Sequence, residues 1–312
     1  MPETNQPSKA AFIFPGQGSQ YVGMGRDWYD ASPKAKEMFH HANEILEFDI
    51  AEICFNGPEN KLRQTEVTQP AIFLHSAIVF SLLDEKNFSA TAGHSLGEYS
   101  ALFAAGALDF ENTLKLVGLR GKLMQHAGEA RHGTMAAIVG LEDRIVEEVC
   151  AESSISGIAQ PANYNSPGQI VISGDVDAVR EAMELAKSRG AKIVKELVVS
   201  GAFHSPLMET AKEKLKKAIN SASVHDACVP VYANVSGKPV SAAAEIKDAL
   251  ICQLTSPVRW QESIVNMFND GITEFIEIGP GKVLQGLVKR IISPKEVKGI
   301  DKINEVKSGI LE

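Results

Sequence analysis

Apolar and polar positions along the chain change period several times, and their order predicts a mostly parallel sheet with helices packed against it. The apolar run Ala10–Phe14 ends in Pro15-Gly16-Gln17-Gly18-Ser19 and reads as a buried strand entering a loop. Helical spacing of apolar residues occupies Pro33–Leu46 and Gln69–Glu85. A short extended run, Ser89–Ala92, then meets Gly93-His94-Ser95-Leu96-Gly97, which opens the apolar-striped segment Leu96–Ala107. In such alternating folds ligands bind beyond the carboxyl ends of the strands. The turns Gly16-Gln17-Gly18 and Gly93–Gly97 both follow strands and are placed to share one crevice.

From residue 131 the texture shifts. The pattern predicts strands at Met135–Val139, Gly157–Asn163, Gln169–Ser173 and Lys192–Leu197, with helices at Glu142–Glu152 and Val176–Arg189. That order, β-α-β-β-α-β, is the ferredoxin-like arrangement, here a small subdomain inserted in the larger one. The chain returns through Ser200-Gly201-Ala202-Phe203-His204-Ser205-Pro206, where Ser205 is set to cap a helix that Pro206 begins. Val229–Val235 and Glu274–Ile278 read as further strands, and Gly279-Pro280-Gly281 turns into the last amphipathic helix. Residues 1–9 read as a disordered lead-in, and the weakly periodic stretch after Ser293 is given no role.

Composition narrows the class. The 312 residues are 44% hydrophobic and 22% charged, enough to bury a full core. A net charge of −8 argues against binding nucleic acid or an anionic membrane surface. Four scattered cysteines, Cys54, Cys150, Cys228 and Cys252, form no C-x-x-C pair and fit a reducing cytoplasm. The polar N-terminus and the short apolar run after it do not read as a secretory signal or a membrane span.

The chemistry gathers at Gly93–Gly97. A serine on a tight strand-to-helix turn holds its hydroxyl clear of the sheet, and the following helix aims its free N–H groups at the attacked group. The alternative is a glycine-punctuated turn with an incidental serine. A serine nucleophile needs a base, usually an imidazole. Of eight histidines, His40, His41, His75, His126 and His225 lie in or beside helical patterns, and His94 points away from Ser95 at so sharp a turn. His132 sits in an Arg-His-Gly segment, while His204, in a loop between small residues and proline, stands modestly ahead. Asp109, Asp143, Asp175 and Asp177 lie between Ser95 and His204 in chain order, but none occupies an obvious strand-end loop. Arg120 lies on the inward stripe with Leu116, Val117, Leu123 and Met124. Taken by itself it reads first as half of a structural ion pair, and second as a fork for a substrate carboxylate. Lys187, Arg189, Lys192 and Lys195 form a solvated face or a docking patch for an acidic partner. No metal-ligand spacing, Walker A loop or full G-x-G-x-x-G fingerprint is present.

These motifs together resemble the malonyl-CoA:acyl carrier protein transacylases of the discrete bacterial type. The resemblance spans residues 10–292. It rests on Phe14-Pro15-Gly16-Gln17-Gly18-Ser19-Gln20, Thr68-Gln69-Pro70-Ala71, Gly93-His94-Ser95-Leu96-Gly97-Glu98-Tyr99 and Arg120-Gly121-Lys122. It continues through Asn163–Gln169, Gly201–Ser205 and Ile278–Leu284. It implies an α/β-hydrolase-like large domain (1–130 and 199–312) with a ferredoxin-like subdomain (131–198). It further implies Ser95 as nucleophile, His204 as base, and the backbone N–H groups of Gln17 and Leu96 as oxyanion hole. Arg120 becomes the clamp for the malonate carboxylate, Gln69 and Met124 line the acyl pocket, and the main-chain carbonyl of Gln253 orients the histidine. Phe203 before His204 resembles malonyl-selective members. The implied activity is transfer of malonyl from malonyl-CoA to the phosphopantetheine thiol of an acidic acyl carrier protein docked near the Ser95 crevice. It implies no cofactor; the cysteine usage points to the cytoplasm, and the absence of an obvious interface stripe leans towards a monomer. Supply of a polyketide synthase, or serine hydrolase activity on the same scaffold, are the alternatives.

Overall fold

The computed structural model describes residues 9–306. The expected lead-in therefore lies outside the described residues except for Lys9, which is already the first residue of a strand. Among the described residues ten strands form two sheets: β1 (Lys9–Phe14), β2 (Ala90–Gly93), β3 (Gly133–Val139), β4 (Ala159–Ser166), β5 (Gln169–Asp175), β6 (Ile193–Glu196), β7 (Val231–Tyr232), β8 (Pro239–Val240), β9 (Ile272–Ile278) and β10 (Glu296–Ile300). The larger sheet has the order β10-β9-β1-β2-β7-β8 and is parallel except at β7–β8.

Strand β1 shows why this sheet is covered on both faces. Successive side chains of a strand point to opposite faces. Phe12 and Phe14 join one apolar cluster, with the helices Pro33–Leu46, Thr65–Leu82 and Phe110–Ala130. Ala11 and Ile13 join another, with Trp260 and Ile264 of the helix Trp260–Asn269 and Leu284 and Leu287 of the helix Val283–Ile291. A parallel strand buried on both faces reads as a continuous apolar run, as Ala10–Phe14 does.

The smaller sheet is antiparallel, in the order β4-β5-β3-β6, with the helices Asp143–Ser153 and Val176–Ser188 packed on it through a third cluster. Its order and connectivity are the ferredoxin-like pattern expected from the sequence. Strand β4 reaches back to the larger unit, where Asn163 bridges to Val258.

Four expectations change. The helix expected at Gln69–Glu85 spans Thr65–Leu82, so Pro70 lies inside it. Val229–Val235 contributes only the two residues of β7, because the chain leaves β2 after the pair Ala92↔Tyr232. Pro206 begins a 3-10 turn, Pro206–Met208, whose leading N–H at Leu207 is capped by Ser205 Oγ, and the α-helix starts at Glu209. The stretch after Ser293 supplies the edge strand β10. Just beyond it, the Asp301 carboxylate faces buried His75 at 3.2 Å and accepts from the Tyr21 hydroxyl at 2.9 Å. Its carbonyl accepts from Trp28 Nε1 at 2.8 Å. An edge strand with half-exposed side chains carries little hydrophobic period, which is why the pattern hid it.

Candidate active site

The turn between β2 and the helix Gly97–Ala104 is built by close backbone approach. A Cβ on Gly93 would stand 1.9 Å from the Gly97 carbonyl, and one on Gly97 would stand 2.1 Å from the Phe14 oxygen of β1. Only glycine lets the helix start so near the strand ends. Between them Ser95 has φ +52°, in the left-handed region that a non-glycine residue enters at a cost of about 1–2 kcal/mol. This places its hydroxyl at the rim of a cavity of about 230 Å³.

His204, with φ +56°, also holds a left-handed conformation. Its loop is pinned by Ser205 Oγ donating to the Ala202 oxygen and by Gln160 Nε2, on β4, donating to the His204 oxygen at 2.9 Å. His204 Nε2 lies 2.7 Å from Ser95 Oγ. Its Nδ1 faces two carbonyls, Gln253 O at 3.0 Å and Ser256 O at 3.1 Å. Carbonyl oxygens only accept, so Nδ1 carries the proton and Nε2 presents its lone pair to the Ser95 hydroxyl. Burial, and after it the charge of Arg120, pushes this imidazole down to about 3. At neutral pH it is an uncharged acceptor. None of the four aspartates is among its partners. Asp109 caps the helix Phe110–Ala130 by accepting from Asn112 N, and Asp175 pairs with Arg131.

Arg120 projects from the helix Phe110–Ala130 and is fully buried. Nη1 donates to Gln69 Oε1 at 2.7 Å; Nη2 donates to Gln253 Oε1 at 3.0 Å and Ser95 Oγ at 3.1 Å. Among the described residues Nε has no acceptor at hydrogen-bonding distance. The guanidinium carbon lies 5.7 Å from the centre of the Tyr99 ring. Among the described residues no carboxylate lies within 4.0 Å of Arg120, so the structural ion pair that its helical position alone favoured is not formed. A buried cation without a direct counter-ion is a ready partner for an incoming carboxylate.

The site residues that the resemblance implies meet here. Gln17, Gln69, Ser95, Leu96, Arg120, Met124, Phe203 and His204 line one cavity, and Gln253 stands behind it. Gln69 is fixed by Arg120 and donates from Nε2 to Met124 Sδ at 3.1 Å. Among the described residues, the backbone N–H groups of Gln17 and Leu96 have no acceptor, which leaves two donors free at the cavity. His94 does leave Ser95 alone, bonding through Nε2 to Asn165 Oδ1 of β4 at 2.8 Å, yet it lines the same cavity. Of the basic face, Lys187 pairs with Glu184 and Arg189 with Glu152. Lys195 borders a neighbouring hollow that shares Gln17, Leu197 and Val199 with the cavity.

Sequence reasoning missed the polar groups behind the turn. Asn234 Oδ1 accepts from Ser95 N at 2.7 Å, and Glu98 Oε2 accepts from Gln253 Nε2 at 2.7 Å. Glu98 was visible as a charge inside an apolar helix stripe; Asn234, in a loop, carried no signal.

The arrangement can acylate and deacylate a serine: a hydroxyl, an uncharged imidazole, two free amide donors and a buried cation converge. The acyl transferase domain model matches residues 11–305. A malonyl CoA-acyl carrier protein transacylase of Bacillus subtilis (strain 168) is 48% identical over 287 residues, covering 91% of this chain and 90% of the relative. A solved acyl carrier protein S-malonyltransferase of Vibrio cholerae superposes with a TM-score of 0.91 at 43% identity, covering 95% and 98% of the two chains. A malonyl-transacylase solved in complex with its type II PKS acyl-carrier protein gives 0.92 at 38% identity, covering 97% and 99%. With its sheet, its serine turn and these matches in agreement, the chain belongs to the acyl transferase domain family.

Proposed function

We propose that this protein transfers a malonyl group from malonyl-CoA to the phosphopantetheine thiol of an acyl carrier protein, through a malonyl ester on Ser95. One observation carries the reading: the Ser95 hydroxyl lies within 3.1 Å of both a neutral imidazole and a buried guanidinium that no carboxylate among the described residues touches.

His204 Nε2 takes the proton as Ser95 Oγ bonds to the thioester carbon. The oxyanion formed is met by the N–H groups of Gln17 and Leu96. Collapse breaks the carbon–sulfur bond, and the leaving CoA sulfur takes the proton from His204. In the second half the carrier thiol gives its proton to His204, its sulfur attacks the ester, and Ser95 Oγ leaves with the proton returned. No triad acid is required: the two carbonyls on Nδ1 hold the tautomer, and Arg120 disfavours a standing imidazolium. Arg120 pairs with the malonate carboxylate, so an acetyl group leaves the cation unanswered. Phe203, buried beside His204, narrows the cavity toward the unbranched malonyl group. The four free cysteines and the acidic surface agree with work in the cytoplasm.

The test is intact-protein mass spectrometry after brief exposure to malonyl-CoA. Wild type should gain one malonyl group, lose it on addition of holo-carrier protein, and gain none as Ser95→Ala. Absence of the adduct, or its discharge to water as fast as to the carrier, overturns the reading.

A further inference from the structure

We propose that Asn234 is a positioning residue for Ser95, and that the Glu98 carboxylate holds Asn234 and Gln253 in register on either side of that serine. The inference rests on Ser95 being the nucleophile.

The parallel ladder between β2 and β7 cannot continue past Ala92↔Tyr232, because the chain turns upward at Gly93 to form the serine turn. Two peptide groups are thereby stranded beneath it. Asn234, two residues beyond β7 and 1% exposed, answers both. Its Oδ1 accepts from Ser95 N at 2.7 Å, and its Nδ2 donates to Gly93 O at 2.7 Å. A carboxamide has the donor and acceptor of a peptide group, so this side chain replaces the missing ladder step. Left-handed Ser95 has no backbone acceptor for its own N–H among the described residues, and the geometry persists only where its surroundings over-determine it.

Glu98 closes the ring. It sits in the first turn of the helix that follows Ser95 and is 1% exposed. Its Oε2 accepts from Asn234 N at 3.2 Å and from Gln253 Nε2 at 2.7 Å. The same Gln253 nitrogen donates to Ser95 O at 3.0 Å, while the Gln253 side-chain oxygen accepts from Arg120 and its carbonyl accepts from His204. Both peptide groups flanking the Ser95 Cα are therefore tied to one buried carboxylate, through Asn234 on one side and Gln253 on the other. The same ties reach the arginine and the imidazole. Displacing this ring moves the hydroxyl relative to all of them at once.

The experiment measures the rate constant and final amplitude of Ser95 modification in single turnover, with two reagents: malonyl-CoA, and a fluorophosphonate that reacts with activated serines whatever their acyl substrate. Asn234→Ala should slow both reactions by about 100-fold, the cost of misplacing a reacting group by ~1 Å. Full amplitude and an unchanged half-saturating malonyl-CoA concentration should accompany the loss. Asn234→Asp keeps an acceptor for Ser95 N but sets an oxygen against Gly93 O, and should also slow both. Glu98→Gln, whose amide oxygen can still accept both N–H groups, should stay within about tenfold of wild type, whereas Glu98→Ala should match Asn234→Ala.

Unchanged rate constants, or a reduced amplitude with the wild-type rate in the folded fraction, would reduce the ring to scaffolding and overturn the proposal. A wild type that reacts with fluorophosphonate but not malonyl-CoA sinks the malonyl reading and leaves this one to be decided on the phosphonylation rates. A wild type inert to both sinks the two together.

Discussion

Arg120→Ala tests the acyl-group selectivity directly. The wild-type guanidinium is wholly buried and donates to Gln69, Gln253 and Ser95 Oγ. A guanidinium has five N–H donors, and three are engaged, which leaves Nε–H and one Nη1–H without an acceptor among the described residues. Deleting one partner of a buried charge pair costs about 3–5 kcal/mol, because the other charge stays desolvated. On a barrier that is a factor of roughly 10²–10⁴. The contact from Arg120 to Ser95 Oγ is lost for every acyl donor, so it cancels in a ratio. The quantity to measure is therefore the ratio of acylation rates with malonyl-CoA and acetyl-CoA, followed by mass spectrometry in single turnover. It should fall by roughly 10² or more, mostly through the malonyl rate. A ratio that moves less than about tenfold, the scale of one ordinary hydrogen bond, refutes the clamp.

The same geometry makes four further predictions. Because burial and Arg120 depress His204 to about 3, its neutral form persists far below the usual histidine range, and acylation should be lost only as pH falls toward that value. In Arg120→Gln the His204 limb of kcat/KM should move to higher pH, whereas Glu98, whose carboxyl burial pushes up to about 7, should titrate in both proteins; a wild-type limb at an ordinary histidine position that Glu98→Gln leaves in place contradicts the assignment. By linkage, a folded histidine pKa below its unfolded one contributes stability that is complete above about pH 6.5 and erodes as pH falls toward 3, measurable by urea unfolding at several pH values. Ser95→Gly should be more stable than Ser95→Ala by about 1 kcal/mol, the reverse of their order in ordinary backbone, since only glycine relaxes φ +52°. Thermal melting of the two inactive variants decides this. Gly97→Ala should destabilise by about 2–3 kcal/mol and abolish serine labelling, since its Cβ meets the Phe14 oxygen at 2.1 Å; a folded, reactive Gly97→Ala protein would show that the turn can open.

Local rules made much of this molecule legible before any coordinates. Pro33–Leu46 is a helix with Ser32 as its cap and Pro33 in its first turn. The β-α-β-β-α-β order of the small unit followed from periods of two and 3.6, although β3 and β5 are buried on both faces, with Met135 and Val171 in the main cluster and Ala136, Ile138, Ile170 and Ile172 in the third. The serine turn was marked by two glycines whose spacing serves a close approach of backbones. Such features are written in neighbouring residues, so a sequence carries them.

Other features exist only when distant segments meet. Eight histidines were nearly equivalent along the chain, and what distinguishes His204 is a pair of carbonyls on the segment Gln253–Ser256 that fixes its tautomer. Arg120 lay on an inward stripe that read as half of an ion pair; that no carboxylate among the described residues comes within 4.0 Å of it, with Glu98 held one glutamine away, is a fact about packing. Asn234 lay inside the run Val229–Val235 read as a strand, with nothing to mark it for the site, and β10 had little period, since an edge strand is half wet and Asn234 acts by completing a ladder that another segment abandons. Sequence alone determined the elements and the residue types able to do the chemistry, through periodicity and close-range sterics. Tertiary structure decided which charge stays unpaired, which imidazole is neutral and what holds the serine, because burial and long-range hydrogen bonds depend on what the rest of the chain brings alongside.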